Sequence, residues 1–126
     1  MSIEPGSFPA NSVYGGPYQY PSDLPLGEWN MMANGRIFQL DLQSISGLQV
    51  QGTISSGDFL NGKWSGTTGP SLLGVLTFVR VTQIKQYFTG YLMHHSERDP
   101  LWRIAGTYET KDGSGKGCWY ATLPRK

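Results

Sequence analysis

The sequence predicts an all-β protein: a single eight-stranded antiparallel up-and-down barrel that follows a proline- and tyrosine-rich arm. Three observations support this prediction. Glycine fills 17 of the 126 positions, and charged residues make up only 15 %. From Gly27 onward, short runs of β-branched and aromatic residues follow one another, with glycine or asparagine at the joins. Regularly spaced short strands with tight turns are typical of sandwiches and barrels, and closure into a barrel leaves no exposed strand edge.

The predicted arm is residues 1–26, and the predicted barrel domain is residues 27–126. The arm holds five of the eight prolines, a density that excludes helix and central strand. It also contains Tyr14, Tyr18 and Tyr20, whereas disordered tails are poor in aromatic residues. We therefore expect part of the arm to lie across the barrel.

Turn residues divide the barrel domain into eight predicted strands, near residues 27–33, 36–45, 48–56, 59–67, 72–82, 85–95, 101–110 and 117–123. Asn34-Gly35 is a strong signal for a short hairpin, because both turn positions can adopt a positive φ. Phe38, Leu40 and Leu42 alternate with polar residues, so one face of the second strand is predicted to be buried. The fifth strand is apolar on both faces. No segment has sustained helical periodicity.

Composition also excludes several functional classes. Ten Lys and Arg residues balance nine Asp and Glu residues, for a net charge of +1, so neither nucleic-acid binding nor a polybasic membrane anchor is expected. Apolar stretches are far shorter than the roughly 18 residues of a membrane-spanning helix. Cys118 is the only cysteine, which rules out an intrachain disulfide. Because the N-terminus lacks the features of a secretory signal, we expect a cytoplasmic protein. We expect neither a metal nor a cofactor.

A Gly-x-Trp motif occurs three times, at Gly27-Glu28-Trp29, Gly62-Lys63-Trp64 and Gly117-Cys118-Trp119. The tryptophan of each motif shares a strand face with its glycine. Core packing is the preferred interpretation, with each indole N–H bound to an acceptor. Four tryptophans in one small barrel also raise the alternative that some of them line a ligand cavity.

Gly27-Glu28-Trp29, Gly52-Thr53, Phe88-Thr89-Gly90 and Trp119-Tyr120-Ala121-Thr122 together resemble the avidin and streptavidin pattern, within the wider lipocalin-like (calycin) group. The resemblance implies an eight-stranded meander barrel with a pocket at one end, which in avidins is a biotin-binding tetramer. Trp119 and Ser56 match positions of that pattern. Met31, Asn34-Gly35 and Ile54 stand where avidins carry biotin-contacting polar or Tyr residues, so biotin is not the expected ligand.

Two arginines within strand-like runs have candidate roles. Arg80 shares a face with Phe78, which directs its charge toward the interior and calls for a partner, either Asp41 or Glu109. Such an arginine is either a structural ion-pair member or a ligand anchor. Lipocalin-like barrels often pack an arginine on the tryptophan of the first strand, so the resemblance favours the structural role for Arg80, and Arg103, beside Trp102, fits the same role.

His94-His95 is the only histidine pair. Adjacent strand residues face opposite sides, and polar residues follow, so a solvated strand end is the preferred interpretation. A general base at the barrel mouth is the alternative, because the pKa of histidine lies near neutrality.

The preferred function is non-catalytic binding of a small apolar or aromatic molecule inside the barrel. The predicted lining is drawn from Trp29, Met31, Phe38, Tyr91, Trp102, Tyr108 and Trp119. One alternative is a protein-interaction or inhibitor module that uses the tyrosines of the arm. Another is a small barrel enzyme of the cyclase or isomerase type, with His94, His95 or Tyr91 as proton donor, and carbohydrate binding also stays open. Low charge and many aromatic residues are compatible with a homo-oligomer. The sequence leaves open both the oligomeric state and whether the barrel is hollow or filled.

Overall fold

The computed structural model describes residues 24–55, 57–65, 74–93 and 98–125, which form a closed antiparallel barrel of eight strands. The strands are β1 (Gly27–Ala33), β2 (Arg36–Ser46), β3 (Gln49–Ile54), β4 (Gly57–Ser65), β5 (Val75–Val81), β6 (Lys85–Leu92), β7 (Leu101–Thr110) and β8 (Lys116–Pro124). Each strand pairs with the next along the chain, and β8 pairs with β1 to close the barrel. The predicted eight-stranded up-and-down barrel is confirmed. Within these residues no helix has the length and apolar character that a membrane crossing requires.

The observed strands begin and end close to the predicted positions. One difference is in β3, predicted over 48–56 and observed as Gln49–Ile54. Gly47 has a φ of 61° and Ser55 a φ of 51°, and a positive φ lies outside the extended region of regular strand pairing. These two turn residues therefore set the ends of β3. Of the predicted arm, residues 1–23 lie outside the described part of the chain.

Aromatic rings fill the barrel interior. Phe59 packs on Phe78 with 4.8 Å between ring centroids, and Phe78 stacks on Phe88 at 4.9 Å. Trp119 meets both phenylalanines of the second pair edge-on, at 6.1 and 6.0 Å. All four side chains are buried. An eight-stranded barrel is just wide enough to be filled by its own side chains, and this barrel is filled.

Trp119 is held beneath the backbones of β6 and β7. Its indole N–H donates to the carbonyl oxygens of Thr89 (3.2 Å) and Thr107 (3.1 Å). A Cβ on Gly90 would clash with the indole ring and would lie 2.7 Å from Ile104 Cγ2. Glycine is required at position 90 because the strand passes directly over the ring. The predicted core role and bonded N–H of this tryptophan are both observed.

The two ends of the barrel differ. At the end where β1 begins, the Trp29 indole N–H donates to the carbonyl oxygen of Pro25 at 2.9 Å. Leu24 is buried in the core, and the Trp64 ring lies against Gly74. Residues 24 and 25 therefore cover this end, which we call the closed end. The opposite end carries the hairpin turns that join β1 to β2, β5 to β6 and β7 to β8, and we call it the open end.

The turn between β7 and β8 is organised by one carboxylate. Asp112 Oδ1 accepts hydrogen bonds from the Ser114 hydroxyl (2.7 Å), the Ser114 backbone N–H (3.0 Å) and the Thr110 hydroxyl (2.8 Å). Bonds to the charged form stabilise it. The hydrogen bonds from Ser114, and after them the hydrogen bond from Thr110, hold the pKa of Asp112 below its ordinary value.

Replacing Gly90 by alanine will destabilise the barrel by about 1–3 kcal/mol, because the added methyl group overpacks a filled core. Urea unfolding followed by tryptophan fluorescence measures the loss. Gly57→Ala is the matched control, since a Cβ there would meet only the Ile54 carbonyl oxygen at 3.7 Å. Equal losses in the two variants would show that the Trp119 contact does not require glycine.

The free energy of unfolding will depend on pH through Asp112. Because its pKa is lowered in the folded state, the stabilisation is present at neutral pH. It is lost as the pH falls below the ordinary aspartate value of about 4 and through the folded pKa. Asp112→Asn, which cannot titrate, should lose less stability than the natural protein between about pH 6 and about pH 3. Ser114→Ala should raise the pKa of Asp112 in an NMR titration, and identical behaviour in all three proteins would contradict this assignment.

Candidate functional site

A cavity of about 360 Å³ opens at the open end of the barrel. We call it the mouth cup. Its lining consists of Ala33, Asn34, Arg36, Phe38, Arg80, Gln86, Phe88 and Tyr108. The volume lies within the range of small-molecule pockets, about 300–1,000 Å³, and apolar walls with a few polar groups are their usual composition.

Strand alternation places these side chains in the cup. Arg36 lies two residues before Phe38 on the inward face of β2, and Arg80 lies two residues after the core residue Phe78 on β5. Gln86 similarly precedes Phe88 on β6. Each polar residue is thus the inward position of its strand that lies nearest to a turn, where the core ends and water begins. The cup is a consequence of where the strands stop.

Arg80 reaches across the mouth of the barrel. Its guanidinium carbon lies 4.9 Å from the centroid of the Phe38 ring, although β5 and β2 are not neighbours in the sheet. Its Nη1 donates to Gln86 Oε1 at 3.3 Å. The side chain is half-buried. The cation–π contact and the amide together fix the plane of the guanidinium.

The predicted partners of Arg80 are wrong. Asp41 alternates with inward leucines, lies on the outer face and accepts a hydrogen bond from Gln43 at 3.2 Å. Glu109 also faces outward and pairs with Lys116 at 3.9 Å. In the described part of the chain, Arg80 is joined to a ring and an amide and not to a carboxylate. The predicted inward direction of its charge is observed.

Two aromatic rings form the opposite wall of the cup, and one hydrogen bond joins this wall to the first hairpin turn. Phe88 stacks on Tyr108 with 5.2 Å between ring centroids, so this wall continues the ring stack of the core. The Asn34 side-chain amide donates to the Tyr108 hydroxyl oxygen. Asn34 has a φ of 50°, a conformation that asparagine tolerates in tight turns. The first hairpin turn is thereby tied to β7 across the mouth.

The structure divides the predicted lining residues into three groups. Phe38 and Tyr108 line the mouth cup, as a ligand site requires. Trp29, Met31 and Trp119 are at most 2 % exposed and belong to the packed core. Because the interior is filled with side chains, these three residues do not face an open cavity.

Tyr91 and Trp102 lie apart from the mouth cup. Tyr91 is on the outer face of β6 and 45 % exposed, because the inward positions beside it are Gly90 and Leu92. Trp102 packs against the core at the closed end, where Arg125 covers its ring with 4.9 Å to the centroid. We therefore exclude both from the candidate site.

The predicted arginine–tryptophan role of Arg103 is corrected as well. Arg125, not Arg103, lies on the ring of Trp102. Arg103 faces outward and pairs with Asp99 at 3.0 Å. The hydrogen bond and the charge of this carboxylate raise the pKa of the Arg103 guanidinium.

Other predicted features fall outside the description. His94, His95 and Ser56 lie outside the described residues. Among those that are described, no group of three or more His, Cys, Asp or Glu side chains could hold a metal ion.

A larger depression of about 600 Å³ lies on the outer wall, over β3 and β4. It forms where the strand register shifts between Val50 and Thr53 and where Asn61, with a φ of 54°, bulges from β4. Its lining is mainly polar and includes Gln49, Gln51 and Lys63. Ligand pockets are mostly apolar with a few convergent polar groups. The smaller mouth cup fits that description better.

Sequence reasoning missed Asn34, Gln86 and Phe88 as site residues. In an up-and-down barrel every second turn lies at the same end, and two of these residues flank such turns. Taking the two inward residues of each strand nearest to those turns would have brought Gln86 and Phe88 together with Arg80 and Phe38.

The Asn34–Tyr108 hydrogen bond should contribute about 0.5–1.5 kcal/mol to the free energy of unfolding. Tyr108→Phe keeps the stacked ring and removes the acceptor, and Asn34→Gly keeps the positive φ and removes the donor. Urea unfolding of both single variants and the double variant measures the coupling directly. Fully additive effects would show that the bond contributes nothing.

Comparisons with protein-family models, curated proteins and solved structures find no match. The similarity to calycin-like barrels consequently extends to the coarse architecture, an eight-stranded antiparallel barrel, and the functional argument proceeds from the site itself.

Proposed function

We propose that this protein binds a small, largely aromatic molecule without transforming it, and that the ligand lies in the mouth cup. This keeps the function predicted from the sequence and moves the ligand from the middle of the barrel to its open end. A calycin-like relationship is part of the same proposal, supported by the meander barrel and by a pocket at one end of it.

One observation supports this proposal more than any other. The barrel is packed with rings along its interior, yet at the open end the stack stops and leaves a cavity of about 360 Å³. The wall and floor that face this cavity include three aromatic rings, those of Phe38, Phe88 and Tyr108. Exposed aromatic surface in a concave site is stabilised by a ligand that removes it from water.

The enzyme alternative receives less support from the described residues. It requires a proton donor beside the substrate, and Tyr91 lies on the outer wall, away from the cup. The polar groups in the cup are arginine, amide and phenol. Arginine is always protonated and supplies charge and hydrogen bonds rather than proton transfer. Binding is the function that this set of groups performs best.

A homo-oligomer stays a prediction, and one outer surface bears on it. Ile37, Met32 and Tyr120 lie side by side on β2, β1 and β8, and all three are exposed. The Tyr120 hydroxyl lies 3.8 Å from the sulfur of Met32. The role proposed for the tyrosines of the arm also stays a prediction, because they lie outside the described residues.

Native mass spectrometry of the full chain purified from cells tests the proposal. We expect a small molecule that leaves the protein on denaturation, and Tyr108→Leu should weaken its binding about tenfold by removing a wall of the cup. Tyr91→Leu is the matched control, since it makes the same change on the outer wall and should bind normally. Melting curves verify that both variants fold.

Two results would refute the proposal. One is a ligand whose affinity falls with Tyr91→Leu and not with Tyr108→Leu. The other is the absence of any co-purifying molecule together with no binding of the naphthalene probes described below.

A further inference from the structure

The mouth cup is positively charged. Its lining contains Arg36 and Arg80 and no aspartate or glutamate. In the part of the chain that the structure describes, neither arginine is ion-paired, whereas the outward-facing Arg103 is paired with Asp99 at 3.0 Å. Two guanidinium groups in one concave site, without a carboxylate among its lining residues, favour an anion as occupant.

Arg80 is held in a conformation suited to a flat anion. The guanidinium carbon lies over the Phe38 ring, 4.9 Å from its centroid, and Gln86 accepts one hydrogen bond at 3.3 Å. A guanidinium carries five N–H donors in one plane. The bond to Gln86 uses one of them, and the other donors can bind a carboxylate through two parallel hydrogen bonds.

The guanidinium of Arg80 is partly removed from water in the mouth cup. The side chain is half-buried against aromatic rings, so part of its hydration is lost. Removing a charge from water without a counter-charge is unfavourable. A bound anion would supply that counter-charge, and its affinity would include the relief of this cost.

The aromatic walls restrict the remainder of the ligand. Phe38 lies on one side of the mouth, and the stacked pair Phe88 and Tyr108 lies on the other. Aromatic faces pack best against flat rings, in stacked or edge-to-face arrangements. At about 360 Å³ the cup is at the small end of the range for ligand pockets.

From these observations we infer that the ligand is a small aromatic carboxylate whose carboxylate is held by the guanidinium edge of Arg80, with Arg36 at the rim. The inference rests on the proposed function and adds the chemical class of the ligand. A guanidinium also binds phosphate, but the aromatic walls favour a flat ligand, and a planar carboxylate pairs with the planar fork of a guanidinium.

Isothermal titration calorimetry with three probes tests the inference: 2-naphthoate, its neutral isostere 2-naphthamide, and 2-naphthyl phosphate. We expect naphthoate to bind the full chain about tenfold to about a hundredfold more tightly than naphthamide, as a charge-assisted bond predicts. Arg80→Gln should abolish this preference, with a larger loss of affinity for naphthoate than for naphthamide. Arg80→Lys should restore only part of it, because lysine lacks the planar fork. Arg103→Gln, which removes an outward arginine, is the matched control and should keep the full preference.

A second readout does not depend on any variant folding. In NMR spectra of the unaltered protein, the Arg80 Nε–H resonance should shift on addition of naphthoate and stay in place on addition of naphthamide.

Equal affinity for the two probes, with no change in Arg80→Gln, would overturn the inference and leave the proposed function standing. Tighter binding of naphthyl phosphate than of naphthoate would overturn the assignment to a carboxylate. Failure of all probes to bind, with no co-purifying molecule, would refute the proposed function itself.

Discussion

The arrangement of the whole interior depends on how the indole of Trp119 is held. Its N–H bonds to the carbonyls of Thr89 and Thr107 tie the ring to two adjacent strands. The absence of a side chain at Gly90 lets β6 pass directly over it. The edge of the indole then supports the stacked ring of Phe88. A buried indole without acceptors would leave its donor unsatisfied, so the same contacts satisfy the polar atom and position the ring stack.

A filled interior determines where a ligand can bind. Protein cores pack at the density of organic crystals, and a ring stack that begins at Phe59 leaves little room for a guest along the barrel. The stack ends at Phe88 and Tyr108, which are at once part of the packed interior and the wall of the mouth cup. Under the proposed function, stability and ligand recognition therefore share residues. Changes to this wall affect both, and for that reason the outer-wall tyrosine at position 91 is an informative comparison.

The strands and the closure of the barrel could be predicted from local pattern. Alternation along residues 36–45 and the Asn34-Gly35 hairpin signal depend on neighbours within a few positions, and the structure agrees with both. The inward direction of the Arg80 side chain could also be predicted, since Arg80 lies two residues from the core residue Phe78 on the same strand. The same rule, applied to Tyr91 beside Gly90 and Leu92, indicates the outer face that the structure shows.

The partner of Arg80 could not be predicted in the same way. Contact with Phe38 joins β5 to β2 across the mouth of the barrel, and strand pairing gives no indication of contacts through the interior. The pairing of Arg125, rather than Arg103, with Trp102 has a similar origin, because it depends on the path of the chain after β8. Whether the lumen is hollow depends on the summed volume of side chains from all eight strands, so the sequence left that question open.

The two arginine–ring pairs of this protein give an internal comparison of structure and function. Both guanidinium carbons lie 4.9 Å from an aromatic centroid, Arg125 over Trp102 and Arg80 over Phe38. At the closed end, Arg125 also donates to the carbonyl oxygen of Asp99 at 3.1 Å, so its charge is bonded to the backbone that ends the loop before β7. At the open end, Arg80 donates to a side-chain amide and faces a cavity instead of a loop. The same contact closes one end of the barrel, and at the other end it lies in the cavity for which we infer an anionic ligand.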